Sequence, residues 1–216
     1  LLEALGKNIA DYGMTIERAT GFAPWIVNDH QKRNAGLEQA KREMDRLAQI
    51  GGIRMAAPPA GTARGEKIEL MAMAERYAKL LEIGESIGVI PQIEMWGGHP
   101  VIGRISTAVS IAIECGHPKA CFLGDVYHTY KGGCAFEGLN LLGPQALQVF
   151  HLNDYPADPP RETINDSHRV YPGDGIAPIA ETMQGWLKIG ATPVLSVEVF
   201  NMDYWKANAE QVARTG

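Results

Sequence analysis

The sequence predicts an α/β fold built on parallel strands, in the form of a (β/α)8 barrel. Three observations carry that reading. Apolar runs of strand length alternate with segments of helical period along the chain, and each helix stops at Gly before the next strand. No Gly-x-Gly-x-x-Gly turn is present, although an open doubly wound sheet would use one after its first strand. Four successive strands end on an ionisable residue, and a closed barrel is the architecture that collects functional groups from the ends of several different strands.

Residues 1–13 place Leu1, Leu2, Leu5 and Ile9 at helical spacing and stop at Gly13. Thr15 to Val27 reads as an extended, aromatic-bearing segment with Phe22, Pro24 and Trp25 near its end. Gly36 to Gln49 is an amphipathic helix with Leu37, Ala40, Met44 and Leu47 on one face, closed by Gly51-Gly52. Ile53 to Ala57 is a short strand that Pro58-Pro59 ends. Glu66 to Ile87 is a long helix stopped by Gly88, and Val89 to Ile93 is a strand ending in Glu94. A helix from about Gly103 to Glu114 leads through Gly116 to the strand Ala120–Leu123, whose end carries Asp125. Phe136 to Leu142 reads as a short helix, and Ala146 to Phe150 as a strand ending in His151. A long loop to Gly175, a helix from Ile176 to Ile189, the strand Pro193–Val197 ending in Glu198, and a last helix from about Asp203 complete the chain.

No linker divides residues 1–216, so a single domain is expected. Six strands are visible, and the first residue, Leu1, lies inside a helix. The expectation is therefore a barrel whose first β-α-β unit would precede Leu1.

A formal net charge of −5 and a pI near 5.7 offer no general attraction for phosphate backbones, and no run of Lys and Arg is present. Nucleic acid is not an expected partner. Neither is a membrane, because no uninterrupted apolar segment approaches about 18 residues and the N-terminus shows no basic-then-apolar pattern. Cys115, Cys121 and Cys134 show no Cys-x-x-Cys spacing, which fits free thiols in a reducing compartment and a cytoplasmic location. A homo-oligomer is compatible with all of this.

The four strand-end residues form one set. Burying an unpaired carboxylate costs several kcal/mol, so an acid at the end of an oily strand needs a partner. From Glu94 to Asp125 is 31 residues and from Asp125 to His151 is 26, each one βα repeat; from His151 to Glu198 is 47, stretched by the long loop. Taken singly, each side chain is explained by a helix cap, a loop hydrogen bond or a satisfied core histidine. Four in succession point instead to a divalent metal held by Glu94, Asp125, His151 and Glu198. Carboxylates suit Mg²⁺ and Mn²⁺, and one imidazole admits Mn²⁺, Co²⁺ or Zn²⁺. Two remaining positions would take vicinal oxygens of a hydroxy-ketone, acidifying the carbon beside the carbonyl. A carboxylate on each side of that carbon could then remove and return its proton through an enediolate.

The runs Asp125-Val126-Tyr127-His128, His151-Leu152-Asn153-Asp154 and Arg169-Val170-Tyr171-Pro172-Gly173-Asp174-Gly175 resemble the sugar phosphate isomerase/epimerase group of xylose-isomerase-like TIM barrels. Within it, Ile164-Asn165-Asp166-Ser167-His168-Arg169, Ser196-Val197-Glu198-Val199-Phe200 and Asp203-Tyr204-Trp205 are most similar to inosose (2-keto-myo-inositol) isomerases. The resemblance implies a metal-dependent isomerase or epimerase of a small polyol ketone or ketose, with Glu94 and Glu198 doubling as the acid/base pair. It implies a substrate-binding role for His128 and for an Arg after the seventh barrel strand. Arg161 and Arg169 both qualify, Arg161 ranked first.

Pro172-Gly173-Asp174-Gly175 sits where TIM barrels frequently bind phosphate. Asp174 there would repel a phosphate and is expected to cap the following helix, so an unphosphorylated substrate is expected. Trp25, Phe22 and Trp96 are expected at strand ends, as an apolar wall or as packing, and Lys131 as a surface or substrate-reaching residue. A dehydratase acting on an inosose would use the same proton abstraction. An endonuclease-IV-like DNA repair enzyme on the same barrel would need more ligating histidines and a basic groove.

Overall fold

A computed structural model of the chain describes residues 2–215. Residues 1–123 and 124–216 form two compact units. The first opens with α1 (Leu2–Asp11), β1 (Ala19–Thr20), α2 (His30–Gln49) and β2 (Arg54–Ala57). It continues with α3 (Leu70–Ile87), β3 (Ile90–Glu94), α4 (Ile105–Glu114) and β4 (Phe122–Asp125), whose last two residues belong to the second unit. Leu1, which the sequence puts on the face of α1, lies outside the described residues.

Strands β1 to β4 pair in chain order and all in parallel: Ala19 opposite Met55, Arg54 opposite Ile90, Ile93 opposite Phe122. This is the arrangement that repeated right-handed βα units produce. Only two residues of the extended segment expected over 15–27 form a strand, since Trp25, Ile26 and Val27 turn inward as core. Trp25 Nε1 donates to Pro58 O at 2.8 Å, so this aromatic is a core residue with a satisfied N–H, not part of an exposed wall.

Helix α2 starts six residues before the expected Gly36. Asp29 caps it, its carboxylate accepting from Lys32 N, while the first turn stays polar and exposed and so carries no apolar signal. Gly36 permits the continuation, because a Cβ there would lie 2.7 Å from Pro24 O. Helix α3 starts four residues later than expected. Glu66 is engaged elsewhere, accepting from Asn28 N and Ala63 N, each at 2.7 Å. The buried stripe Met73, Ala74, Tyr77, Leu80, Leu81 follows the helical period and seats α3 against the strands. Tyr77 closes the seam between β3 and β4: its hydroxyl lies 2.9 Å from Pro91 O and 3.0 Å from Cys121 O, and it accepts from Cys121 N.

The second unit carries α5 (Val126–Lys131), a 3-10 helix (Phe136–Leu141), β5 (Leu147–Leu152), a second 3-10 turn (Asp166–His168), α6 (Ile179–Lys188), β6 (Val194–Val197), α7 (Met202–Lys206) and α8 (Ala209–Thr215). Strand β5 pairs with β6 in parallel, His151 opposite Ser196, and the ladder continues into Glu198 N→Leu152 O at 3.1 Å. Trp186 of α6 packs on Phe150 with ring centroids 4.7 Å apart.

Helix α6 begins three residues after the expected Ile176, and Asp174 does not cap it; Pro178 stands at its N-cap without a side-chain bond. The buried Asp154 takes over that stretch of backbone. Its carboxylate accepts from Tyr155 N, Gly173 N and Ala177 N at 2.8, 3.1 and 2.9 Å. Gly175 passes so close that a Cβ would meet Asp154 Oδ1 at 2.3 Å. The loop is further tied by Lys131, whose ammonium donates to the carbonyls of Arg161, Glu162 and Ile164 and is thereby occupied as a loop anchor.

Candidate functional site

In the first unit, Glu94 is the last residue of β3 and is buried. Phe22 and Trp96 lie with ring centroids 6.3 Å apart, Phe22 exposed.

The second unit holds a dense polar cluster. Asp125 ends β4 and caps α5, Oδ1 accepting from His128 N at 2.7 Å. That bond explains why an acid and an imidazole sit three residues apart: the carboxylate starts the helix, and the first turn brings His128 back toward it. Oδ2 of Asp125 accepts from Asn153 Nδ2 at 2.9 Å and from Arg169 Nη1 at 3.0 Å. His151, near the end of β5, places Nδ1 3.0 Å from Glu198 Oε2 and 3.6 Å from Asp125 Oδ2. Arg169 Nη1 also donates to Glu198 Oε2 at 2.9 Å, and Nη2 donates to Asp166 Oδ1 and lies 3.0 Å from His128 Nε2.

Asp125, His151 and Arg169 are at most 1% exposed; Glu198 keeps 21% of its side chain in solvent. Burial would push the Asp125 carboxyl up, but Arg169, His128 and His151 outweigh it and hold Asp125 far below the ordinary range. Burial would likewise lower His151, yet its bonds to Asp125 and Glu198 raise it to about 9. His128 is lowered, by burial first, and so is neutral near pH 7. Its Nε2 then accepts from the permanently charged guanidinium, which assigns the proton to Nδ1. Glu198 is lowered overall: burial raises it, and the hydrogen bond to His151, the charge of His151 and that of Arg169 together outweigh it.

Thus Asp125, His128, His151, Arg169 and Glu198 come together within the second unit. The side chain of Arg161 does not join them; it is half exposed and lies 3.7 Å from Glu162. Three further contributors were not singled out from sequence. Asn153 links Asp125 to Tyr127 N at 2.9 Å, Asp166 grips Arg169, and the Tyr127 ring lies under the guanidinium at 4.5 Å. Spacing holds the missing signal: Asn153 is two residues after His151, on the same side of an extended chain, and Asp166 precedes Arg169 by one helical turn.

His151 and Glu198 supply an N/O donor pair of the kind a borderline divalent cation takes, and both belong to a group of histidine and carboxylate side chains that could hold such an ion. With Glu198 partly open and a neutral His128 beside a fixed guanidinium, the cluster can hold an oxygen-bearing ligand and exchange a proton with it.

The chain is similar over 184 residues, at 27% identity, to the inosose isomerase of Bacillus licheniformis; the match covers 83% of this chain and 65% of that relative's length. Among solved structures it superposes on a 1.8 Å crystal structure of the IolI protein with a bound zinc atom, with a TM-score of 0.90 and 23% identity, over 99% of this chain and 78% of the other. It superposes on L-ribulose 3-epimerase with a TM-score of 0.78 and 17% identity, over 100% and 71%. At these identities the structural likeness speaks for the fold. The family model described as xylose isomerase-like TIM barrel matches residues 1–216, and a chain of parallel βα units matched from end to end by that model belongs to the xylose isomerase-like TIM barrel family.

Proposed function

We propose that this chain is a divalent-metal-dependent isomerase or epimerase of a small polyol ketone or ketose, inosose-like, working by proton exchange beside the carbonyl. The observation that carries the reading is His151 Nδ1 lying 3.0 Å from Glu198 Oε2 and 3.6 Å from Asp125 Oδ2 in a buried site. The inosose isomerase relative supports the substrate class, and the zinc in the IolI structure supports a metal.

Asp125, His151 and Glu198 would hold the ion, with Glu94 as the further ligand on its strand-end position. When bound, the metal would polarise the carbonyl and acidify the neighbouring C–H. Glu198, ionised and partly open, takes that proton; Glu94 is assigned the partner role in returning it. His128 and Arg169 orient the substrate oxygens, Arg169 filling the role for which the sequence ranked Arg161 first. Asp125 and Asn153 fix the start of α5 and so the aim of His128. Cys115, Cys121 and Cys134 form no disulfide among the described residues, which supports a reducing compartment, and we propose a cytoplasmic location.

The test is incubation with an inosose and with ketohexoses in deuterated water, with Mn²⁺ or Zn²⁺ present, followed by NMR and mass spectrometry. Solvent deuterium at the carbon beside the carbonyl of an isomeric product is the expected outcome. Loss of water would establish a dehydratase instead, and absence of exchange with every substrate would remove the proposal.

A further inference from the structure

Arg169 Nη1 lies on the two oxygens assigned to the metal, 3.0 Å from Asp125 Oδ2 and 2.9 Å from Glu198 Oε2. A guanidinium and a divalent cation repel, and neither oxygen can give its full lone-pair density to both. We propose that Arg169 is a resident counter-cation of Asp125 and Glu198 that a divalent cation must displace, so the site alternates between an arginine-closed and a metal-closed state. The inference rests on the metal reading of Asp125, His151 and Glu198.

The arginine-closed state is a built arrangement. The guanidinium is held by Asp166 on Nη2 and by the faces of Tyr127 and Phe200, at 4.5 and 5.1 Å from its carbon. It neutralises two carboxylates that would otherwise repel each other in a buried site. Yet it is not fully satisfied there: Nε–H is buried and has no acceptor among the described residues. A donor left without an acceptor favours a second position for the same side chain.

Asp166 permits that move. It is outside the proposed ligand set, its side chain is 54% exposed, and it grips the nitrogen that does not touch Asp125 or Glu198. The grip of Asp166 on Nη2 therefore holds the guanidinium in the arginine-closed state and is given up when Nη1 lets go, which leaves the freed donors beside His128, where the proposed function needs them for a substrate oxygen. Metal therefore binds before substrate.

Isothermal titration of the full metal-free chain with Mn²⁺ tests this. Arg169→Met should bind Mn²⁺ about 5- to 150-fold more tightly than wild type, the usual span for two linked binding events. Asp166→Asn, which loosens the tether, should bind it more tightly by a smaller factor. The second variant separates displacement from a field effect, because removing a negative charge beside the site would by itself weaken cation binding. It also decides the matter alone should Arg169→Met fail to fold. Unchanged or weaker Mn²⁺ binding by Asp166→Asn overturns the inference and leaves the metal reading standing. No binding by wild type or either variant overturns both.

Discussion

At Glu198 the surroundings set the protonation state that the proposed base role requires. The His151 nitrogen 3.0 Å away and the Arg169 guanidinium together keep the carboxyl ionised despite burial, and 21% exposure leaves a path to a ligand. Replacing Glu198 with Gln preserves size and polar contacts and removes the base. Turnover should fall at least about 100-fold, the lower end of what a positioned acid/base group contributes, with the circular dichroism spectrum unchanged. A Gln variant with near-normal turnover would strip Glu198 of its role. The choice between Arg161 and Arg169 is also made at this scale. Both follow the seventh barrel strand in sequence, and only burial and partners distinguish them, properties of the folded loop that no spacing rule reports.

The elements were legible where one residue controls them and opaque where a distant one does. Gly13, Gly51, Gly88 and Gly116, expected as helix stops, all have positive φ, which a glycine adopts without a Cβ penalty. Helix starts were displaced by side chains far off in sequence: Glu66 is drawn to Asn28, and the backbone at Gly173 and Ala177 is drawn to Asp154. The seam between β3 and β4 supplies a test at this scale. Burial pushes the Cys121 thiol from its ordinary 9.0 up to about 11, and it also raises Tyr77, whose hydroxyl accepts from Cys121 N. A native pKa above the unfolded one means the neutral thiol contributes stability in full below pH 9, and this is lost as pH rises toward about 11. Melting temperature should therefore fall over that interval more steeply in wild type than in Cys121→Ala. Parallel curves would mean that thiol ionisation is not linked to unfolding.

For the whole molecule, the alternation of strand and helix was readable because a parallel sheet imposes the same repeat on every unit, and membership of the family follows over residues 1–216. The loop 152–175 was not readable in the same way, since its shape comes from Asp154, Lys131 and Asp166 rather than from periodicity. The chain spans 65% of the length of the B. licheniformis relative, so turnover by this chain on its own is a prediction in its own right. Metal removal addresses it together with stability. Chelation should abolish turnover, since it removes the ion proposed to polarise the carbonyl, yet leave the fold intact at room temperature because Arg169 already neutralises Asp125 and Glu198. Saturation at about 100 times Kd adds about 2.7 kcal/mol, so chelation should lower Tm by roughly 5–10 °C for a chain of this size. Global unfolding on chelation would show the ion to be a structural necessity, and Arg169 could not then be its stand-in.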